Sequence, residues 1–256
     1  TGRDPEMVGG QYPFPLFEDG DLNVPNAYLK DVEGDRLAAH VGRTVRVRIE
    51  SRRVPAEGEH VVATLPGAGE GRIVVSAHID SRQGSPGALD NATGVAVLLA
   101  VAELSASYAG EPCVEFVPFN GEDNYANPGE MLWLSENEGR FGEIIAGVNV
   151  DDLGMCGSVN HVSLYGCPDD VAATARALLA RHSSVAEGPP WYQGDHMILV
   201  QQGRPAVALA SSEMAAFMRN YAHTERDSMD LVDTSLVANA ALYVHDLVAA
   251  VAARHS

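Results

Sequence analysis

A histidine and two acidic residues flank the junction between a predicted strand and a predicted helix. The strand covers residues 72–80 and ends in His78-Ile79-Asp80, and Asp90 follows after a loop rich in glycine, serine and proline. The strand is a β-branched apolar run, and the apolar residues after Asn91 recur at helical spacing. Imidazoles and carboxylates are the ligands that zinc and similar metals take in proteins. This junction is therefore a candidate metal site.

A single His-x-Asp pair is more often an ordinary polar strand end than part of a metal site. Similar residues, however, follow later strands. Glu122 and Asp123 come shortly after one apolar strand, and Asp151 comes after the next. His223 lies near the end of the chain. Because open α/β sheets place their ligand crevice at the carboxyl ends of strands, these residues are predicted to meet there.

Five short strings occur in a fixed order along residues 54–256 and together carry a family resemblance. They are Ala77-His78-Ile79-Asp80-Ser81, Pro86-Gly87-Ala88-Leu89-Asp90-Asn91-Ala92-Thr93-Gly94, Asn120-Gly121-Glu122-Asp123, Asn149-Val150-Asp151 and His223-Thr224. The chain resembles the M28 family of zinc aminopeptidases, which also contains glutaminyl-cyclase-like members. Each string alone is weak, whereas the ordered set is highly specific.

The resemblance implies a site for two zinc ions with five ligands. His78 and Asp151 would hold one metal, and Asp123 and His223 would hold the other. Asp90 would bridge the two metals. A metal pair of this kind lies about 3.5–4 Å apart, shares a water and lowers its pKa towards neutrality. It also polarises the carbonyl group that the water attacks.

The resemblance also implies that Glu122 is the general base rather than a ligand. A free carboxylate beside the metals takes a proton from the water and returns it to the leaving amine. Related proteins usually carry Glu-Glu where this chain has Glu122-Asp123. Aspartate is one methylene shorter but is an equally hard oxygen donor. We expect the site to survive this change, and the occupancy of the second metal position stays open.

A second departure lies beside the last ligand. Ala222 precedes His223 where related aminopeptidases often have a tyrosine that donates to the oxyanion. Tyr221 and Tyr192 are the two candidates for that role. The free ammonium group of a substrate also needs carboxylates close to the metals, and Glu130 is one candidate besides the site residues. The oxyanion donor and the residue preference of the substrate are left open by the sequence.

Other residues permit two interpretations each. Asp195-His196 is expected either to make structural hydrogen bonds or to shape the substrate pocket. Asp152 is expected to point away from Asp151 on a regular strand, and we assign it no metal. A set of large side chains either lines an apolar pocket or fills the core, and its members are Trp133, Trp191, Tyr192 and Met197.

Strands and helices are predicted to alternate through most of the chain. The predicted strands are 60–65, 72–80, 114–119, 145–150, 159–165 and 206–210, and the predicted helices are 91–107, 169–182 and 234–254. Asp233 is a candidate N-cap for the last helix. This alternation predicts an α/β fold with a mixed, mostly parallel central sheet covered by helices on both faces. The resemblance implies the zinc exopeptidase version of that fold.

The chain is expected to divide into three parts. Residues 1–6, before Met7, read like a remnant of an expression vector. Residues 7–54 form an N-terminal segment that packs on the core, with a strand-like alternation at 44–49. Residues 55–256 form the catalytic metallopeptidase domain. Within it, the glycine-rich residues 67–71 precede a strand and not a helix, which favours a hairpin turn over a phosphate loop.

Composition limits the partners. The 256 residues carry 35 Asp and Glu against 17 Lys and Arg, giving a net charge of −18, which argues against nucleic acid or an anionic membrane. No uninterrupted apolar stretch reaches the roughly 20 residues of a membrane helix. The three cysteines form no CxxC motif, and an odd number mildly favours a reducing compartment. No signal peptide is visible, so cytoplasmic and secreted locations both stay open, as does the oligomeric state.

Three functions are compatible with these residues. The first is a zinc-dependent exopeptidase, an aminopeptidase that hydrolyses N-terminal residues of peptides. The second is a glutaminyl-cyclase-like acyl transfer, in which one metal polarises the γ-amide and the substrate's own amine attacks. The third is an inactive metal-binding module. The intact Glu122 argues against the third, because an inactive module has no need of a general base.

Overall fold

The computed structural model describes residues 31–50, 52, 55, 57–124 and 128–255. Within these ranges, seven strands form one sheet and seven α-helices accompany it. The strands are β1 (Ala63–Leu65), β2 (Arg72–His78), β3 (Cys113–Phe119), β4 (Ile144–Val150), β5 (Asn160–Tyr165), β6 (Val185–Glu187) and β7 (Ala206–Ser211). The helices are α1 (Asp31–Ala38), α2 (Thr93–Leu104), α3 (Pro128–Glu136), α4 (Asp169–Leu179), α5 (His196–Gln201), α6 (Met214–Asn220) and α7 (Thr234–Ala252).

The sheet is mixed and mostly parallel. Its strand order is β1-β3-β2-β4-β7-β5-β6. The pairs β2–β3, β2–β4, β4–β7 and β5–β6 are parallel, whereas β1–β3 and β5–β7 are antiparallel. The parallel strands β2, β3 and β4 therefore end at the same edge of the sheet, where the candidate ligands follow them in the chain.

Helices cover both faces of the sheet. On one face, α2, α4 and α7 pack on a core that includes Ile73, Val75 and Val148. On the other face, Trp133 of α3 and Ile198 of α5 pack against alternate positions of the same strands. All residues of β2 are buried, as expected for a parallel strand enclosed between two helical layers. The predicted fold class is confirmed.

The three predicted helices are present, the first shortened at both ends and the other two at their C-terminal ends. The first begins at Thr93 because residues 88–92 form a wider, irregular turn in which Asp90 and Asn91 have non-helical torsions. The Asp233 side chain accepts a hydrogen bond of 2.9 Å from the main-chain nitrogen of Ser235, which confirms the predicted N-cap of α7.

Two local predictions are wrong. Residues 44–49 are neither helix nor strand, and all six are exposed, so their alternation has no buried face to stabilise it. Residues 67–71 do not form a hairpin turn. The strand before them, β1, pairs with β3 instead of β2, so the chain passes across β3 to reach the sheet interior.

The N-terminal boundaries stay predictions. Residues 1–30 lie outside the described residues, and so do positions 51, 53, 54 and 56. The proposed vector remnant at residues 1–6 therefore has no structural description. Of the segment 7–54, the described residues 41–50 are all exposed.

Helix α7 is long and apolar enough, by length and composition, to cross a membrane. Half of its apolar window is nevertheless buried inside the fold, where it packs on α2 and α4. Its buried side chains include Tyr243, whose hydroxyl donates a hydrogen bond of 3.0 Å to the carbonyl oxygen of Ala175. A core helix of a soluble domain has the same composition, since its neighbours take the place of lipid.

Leu247→Ala in α7 is expected to lower the free energy of unfolding by about 2–5 kcal/mol, because Leu247 is 1% exposed and its loss leaves a cavity. The matched control is Leu242→Ala on the same helix, where the leucine is 47% exposed. That control should change stability by no more than about 0.5 kcal/mol. Urea denaturation followed by circular dichroism measures both, and equal effects would contradict the packing of α7.

Candidate metal centre

His78 ends β2 with its imidazole almost completely buried between two carboxylates. Its Nε2 lies 3.0 Å from Oδ1 of Asp90 and 3.2 Å from Oδ1 of Asp151. Its Nδ1 lies 3.1 Å from the main-chain carbonyl oxygen of Asp80, whereas the nearest Asp80 carboxylate oxygen is 3.7 Å away. A carbonyl acceptor on Nδ1–H fixes the tautomer in which Nε2 is free to bind a metal. The main-chain carbonyl oxygen of Asp80, rather than its carboxylate, is thus the nearer acceptor for Nδ1–H.

The Asp80 carboxylate instead holds the loop that follows β3. Its Oδ1 accepts hydrogen bonds from the main-chain nitrogens of Gly121, at 2.8 Å, and Glu122, at 3.0 Å. Its Oδ2 accepts from the nitrogen of Asp123 at 3.1 Å. A carboxylate is acceptor-only and can satisfy all three N–H groups at once. Asp80 therefore sets the positions from which the predicted base and the neighbouring ligand project.

Asp90 lies between the two imidazoles. Its Oδ1 faces His78, and its Oδ2 lies 3.1 Å from Nε2 of His223. The Asp90 main chain is held by Asp227, a fully buried residue whose carboxylate accepts from the nitrogens of Leu89, at 2.8 Å, and Asp90, at 3.2 Å. This arrangement has the geometry of a bridging carboxylate, with one oxygen directed to each side.

Asp123 and His223 form the second half of the cluster. Oδ1 of Asp123 lies 3.0 Å from Nε2 of His223, so the shorter aspartate does reach this imidazole. Oδ2 of Asp123 is buried and has no hydrogen-bond donor among the described residues. His223 has φ of +60°, an uncommon backbone conformation for a residue other than glycine, at the turn that follows α6.

The donor atoms fit two metal ions. Two groups have ligand atoms that all lie within 4.8 Å of one another, and Asp90 belongs to both. One group is His78, Asp90 and Asp151, and the other is Asp90, Asp123 and His223. Within the described residues, the ion pairs of these carboxylates are all with the imidazoles. These carboxylates have no Lys or Arg partner among the described residues, and one of their oxygens has no hydrogen-bond donor. A divalent cation neutralises a cluster of this kind.

The charges of this cluster favour the protonated forms of its two imidazoles. Hydrogen bonds to Asp123 and Asp90 raise the pKa of His223 to about 10. Burial opposes the charge of His78, but Asp151 and Glu122 raise its pKa well above the ordinary value. The pKa of Asp90 is lowered despite burial, because both imidazoles bond to its ionised form. Opposite charges stabilise one another across the cluster.

Glu122 stands beside this cluster and belongs to neither ligand group. It opens a single turn of helix, Glu122–Asn124, after β3 and is partly buried. Burial, with the charges of Asp151 and Asp123, raises its pKa well above the usual range. A carboxyl group with a raised pKa has the proton affinity that a general base needs near neutral pH.

The sequence analysis did not predict the supporting roles of three further residues, Asn91, Gly94 and Asp227. Asn91 donates to the carbonyl oxygen of Val150 at 2.9 Å and accepts from the nitrogen of Gly94 at 3.0 Å, which ties α2 to the end of β4. A Cβ at Gly94 would collide with both groups, so glycine is required there. Asp227 acts over a long sequence separation, for which no local pattern exists. The Pro86–Gly94 string was the only signal for Asn91 and Gly94.

Asp152 is buried without a ligand position. Its backbone has φ of +50°, so the strand geometry assumed from the sequence has already ended. Its Oδ1 has no hydrogen-bond donor among the described residues, and burial with the charges of Asp151 and Asp90 raises its pKa well above the usual range. The assignment of no metal to Asp152 stays a prediction.

The large side chains divide between core and site wall. Trp133 is buried against Phe119 in the core between the sheet and helices α3 and α5. The pocket interpretation therefore does not apply to it. Trp191 lies beside Gly194, where an added Cβ would be 2.9 Å from the indole ring and 3.2 Å from Oδ2 of Asp151. The Trp191 segment therefore passes close to a predicted ligand, as a pocket wall must.

The model of peptidase family M28 matches residues 60–248, and the chain therefore belongs to that family. Comparison with curated proteins gave no match. Among solved structures, an aminopeptidase from Aneurinibacillus sp. strain AM-1 is similar with a TM-score of 0.63 and 23% identity, over 74% of this chain and 47% of that chain.

Two further structures have the same fold. BSAP, a zinc aminopeptidase from Bacillus subtilis, has a TM-score of 0.64 at 19% identity, over 74% of this chain and 49% of that chain. The glutaminyl cyclase of an Acidobacteriales bacterium has a TM-score of 0.64 at 16% identity, over 75% of this chain and 73% of that chain. The chain thus spans about half the length of the two aminopeptidases.

Asp80→Asn is expected to lower zinc affinity by about 10–100-fold, the usual effect of losing an outer residue that orients ligands. The amide keeps one acceptor oxygen and turns an NH₂ group towards a main-chain N–H. Competition with a chromophoric chelator measures the affinity. The control is Asp169→Asn, an exposed aspartate at the start of α4, which should bind zinc like the wild type. Unchanged affinity in Asp80→Asn would show that the loop keeps its position without this carboxylate.

Zinc binding to the metal-free protein is expected to release protons at neutral pH. The imidazoles of His78 and His223 have raised pKa values and must lose their protons to become ligands, giving about two protons per chain. Titration calorimetry at about pH 7.5 in two buffers of different ionisation enthalpy measures the number. Heats that do not depend on the buffer would contradict the protonated cluster.

Proposed function

We propose that this protein is a zinc-dependent exopeptidase, an aminopeptidase that hydrolyses the N-terminal residues of peptides. The observation that carries the proposal is the carboxylate of Asp90, which faces both His78 and His223 while Glu122 stands beside them outside the ligand groups. Membership of the M28 peptidase family supports peptide hydrolysis. Two ligand groups joined by one carboxylate are the arrangement that two-metal hydrolases require.

In this proposal, five residues bind the metals and Glu122 transfers a proton. His78, Asp90 and Asp151 would hold one zinc ion, and Asp123 and His223 would complete the second position with Asp90. When bound, such a metal pair supplies an acidified water and polarises a carbonyl group. The main-chain nitrogens of Asp90 and Asp123 donate hydrogen bonds to the carboxylates of Asp227 and Asp80, which favours a site that is organised before substrate arrives.

Glu122 is proposed as the general base. It would take one proton from the attacking water and deliver it to the nitrogen of the leaving amine. Its raised pKa suits both steps, because a carboxyl group of ordinary acidity holds a proton too weakly to return it. Asp80 orients this residue by accepting the Glu122 main-chain N–H.

The proposed partner is a peptide with a free N-terminus. The carboxylates of Glu122 and Asp151 lie at the site and would attract the substrate ammonium group. The net charge of −18 supports cationic over anionic ligands, and neither nucleic acid nor membrane is proposed as a partner. Tyr192 and Tyr221 remain the candidates for the oxyanion donor.

A glutaminyl-cyclase-like acyl transfer is the second candidate. The similarity to the Acidobacteriales bacterium glutaminyl cyclase covers 73% of that chain, a larger share than for the two aminopeptidases, which favours this alternative. That chemistry needs one metal and one carboxyl base. The second ligand group, Asp90 with Asp123 and His223, favours the peptidase, because two complete groups exceed what a single metal needs.

Glu122→Gln is expected to lower kcat/KM by about 100–10,000-fold with unchanged zinc content, because the amide cannot accept the water proton. Release of nitroaniline from a panel of aminoacyl-nitroanilides by the zinc-loaded protein measures the rate. The matched control is Glu138→Gln, an exposed glutamate beyond α3, which should keep wild-type activity.

The same assay with N-terminal glutaminyl peptides separates the two functions. Nitroaniline release that disappears in Glu122→Gln supports hydrolysis. Formation of pyroglutamate without nitroaniline release would replace the peptidase with the cyclase. Zinc content is an independent check, since two equivalents per chain are expected for the peptidase and one for the cyclase.

A further inference from the structure

The carboxyl groups of Glu130 and Asp195 lie within hydrogen-bond reach of each other and near the charges of His78 and Glu122. Glu130 belongs to the first turn of α3, and Asp195 directly precedes α5. The two residues are 2% and 1% exposed. Oε2 of Glu130 and both carboxyl oxygens of Asp195 have no N–H or other donor among the described residues.

Two carboxylates in contact away from water cannot both be ionised at moderate cost. Each oxygen is an acceptor, so an ionised pair would have repulsion and no hydrogen bond. A single proton between the two groups removes both problems. It supplies a donor and leaves one negative charge on the pair, as in other carboxyl dyads.

The surrounding charges act in the same direction. Asp80 and Glu122 face the pair from the carboxyl ends of β2 and β3 and disfavour a second negative charge, whereas His78 favours it. Burial is the largest influence and raises the pKa of Glu130 to about 7. The pKa of Asp195 is raised well above its usual range, chiefly by burial.

The sequence analysis named Glu130 as a candidate to bind the ammonium group of the substrate, and burial excludes this role. With 2% of the residue exposed, the ammonium group of a peptide has no access to its carboxyl group. A positioning role is compatible with burial, because it acts through the protein itself.

The pair joins two walls of the site. On the α3 side, the nitrogen of Gly129 donates at 2.8 Å to the carbonyl oxygen of Asn120, so α3 begins against the loop that carries Glu122. On the α5 side, Gly194 has φ of +97°, and a Cβ there would lie 2.9 Å from the Trp191 ring and 3.2 Å from Oδ2 of Asp151. Residues 191–195, called the wall segment here, therefore lie close to a predicted ligand, and Asp195 is their last residue.

We propose that Glu130 and Asp195 share one proton and that Glu130 is a positioning residue, which holds the wall segment 191–195 against Asp151. The effect on catalysis rests on the proposed peptidase function. The shared proton does not, so the two parts are tested separately.

The first test compares Glu130→Gln with Glu130→Leu in the zinc-loaded full chain. Glutamine keeps a donor towards Asp195 and leaves one negative charge on the pair, whereas leucine leaves the Asp195 carboxylate without a donor. We expect kcat/KM of the glutamine variant to stay within about threefold of wild type, and that of the leucine variant to fall by about 100-fold at unchanged zinc content. Glu136→Gln, on the exposed side of α3, is the matched control.

Two results of this test overturn the positioning role. One is a leucine variant with wild-type activity, and the other is a glutamine variant as impaired as leucine, since an amide would then fail to replace the protonated acid. Asp195→Asn is the mirror variant, with the same charge and a donor towards Glu130. If Glu130→Leu does not fold, Asp195→Asn takes its place in the test, and a large loss of activity in Asp195→Asn contradicts the proposal.

The second test needs no activity. A folded-state pKa raised from 4.5 to about 7 means that folding takes up a proton, so this stabilisation is present below pH 4.5 and is lost as the pH rises to about 7. In the metal-free protein, the urea midpoint of wild type should therefore fall more than that of Glu130→Gln between about pH 5 and about pH 8. Equal pH dependence in the two proteins overturns the shared proton. If wild type lacks peptidase activity but this difference is found, the proposed function fails while the shared proton stands.

Discussion

The bridging position of Asp90 is the contact on which the candidate site depends. One carboxylate oxygen lies 3.0 Å from the imidazole of His78 and the other 3.1 Å from the imidazole of His223. His78 and His223 are far apart in the sequence, and the Asp90 side chain belongs to both ligand groups. Asp90 therefore sets the separation of the two groups. Asp227 in turn accepts hydrogen bonds from the main-chain N–H groups of Leu89 and Asp90 in a fully buried position.

Acidic residues have two different functions around this contact. Asp90, Asp123 and Asp151 direct carboxylates to the imidazoles, whereas Asp80 and Asp227 use theirs to accept main-chain N–H groups. By accepting main-chain N–H groups, Asp80 and Asp227 fix the positions of loops that have no regular secondary structure. Rigid loops matter here, because a displacement of about 1 Å at a catalytic group can cost two orders of magnitude in rate.

The concentration of buried acid also links folding, protons and metal. Burial raises the pKa of Glu122 and Glu130, while the imidazoles of His78 and His223 retain protons beside carboxylates. A metal ion would therefore compete with protons for the proposed ligands, whereas the proton proposed between Glu130 and Asp195 lies outside that competition. Buried carboxyl groups would therefore have two roles, with Glu122 acting in catalysis and Glu130 and Asp195 holding the wall segment.

The sequence by itself determined the fold class, the order of the main elements and the strand ends that carry His78, Asp123 and Asp151. These features depend on local periodicity and composition, which a single chain displays directly. The tertiary structure decided which side chains act on each other: the Asp80 carboxylate on the loop after β3, Asp227 on the Asp90 backbone, and the pairing of β1 with β3 instead of β2. Such contacts depend on strand order and on burial between distant segments. Local patterns contain neither, which is also why the strand-like alternation at 44–49 was misleading.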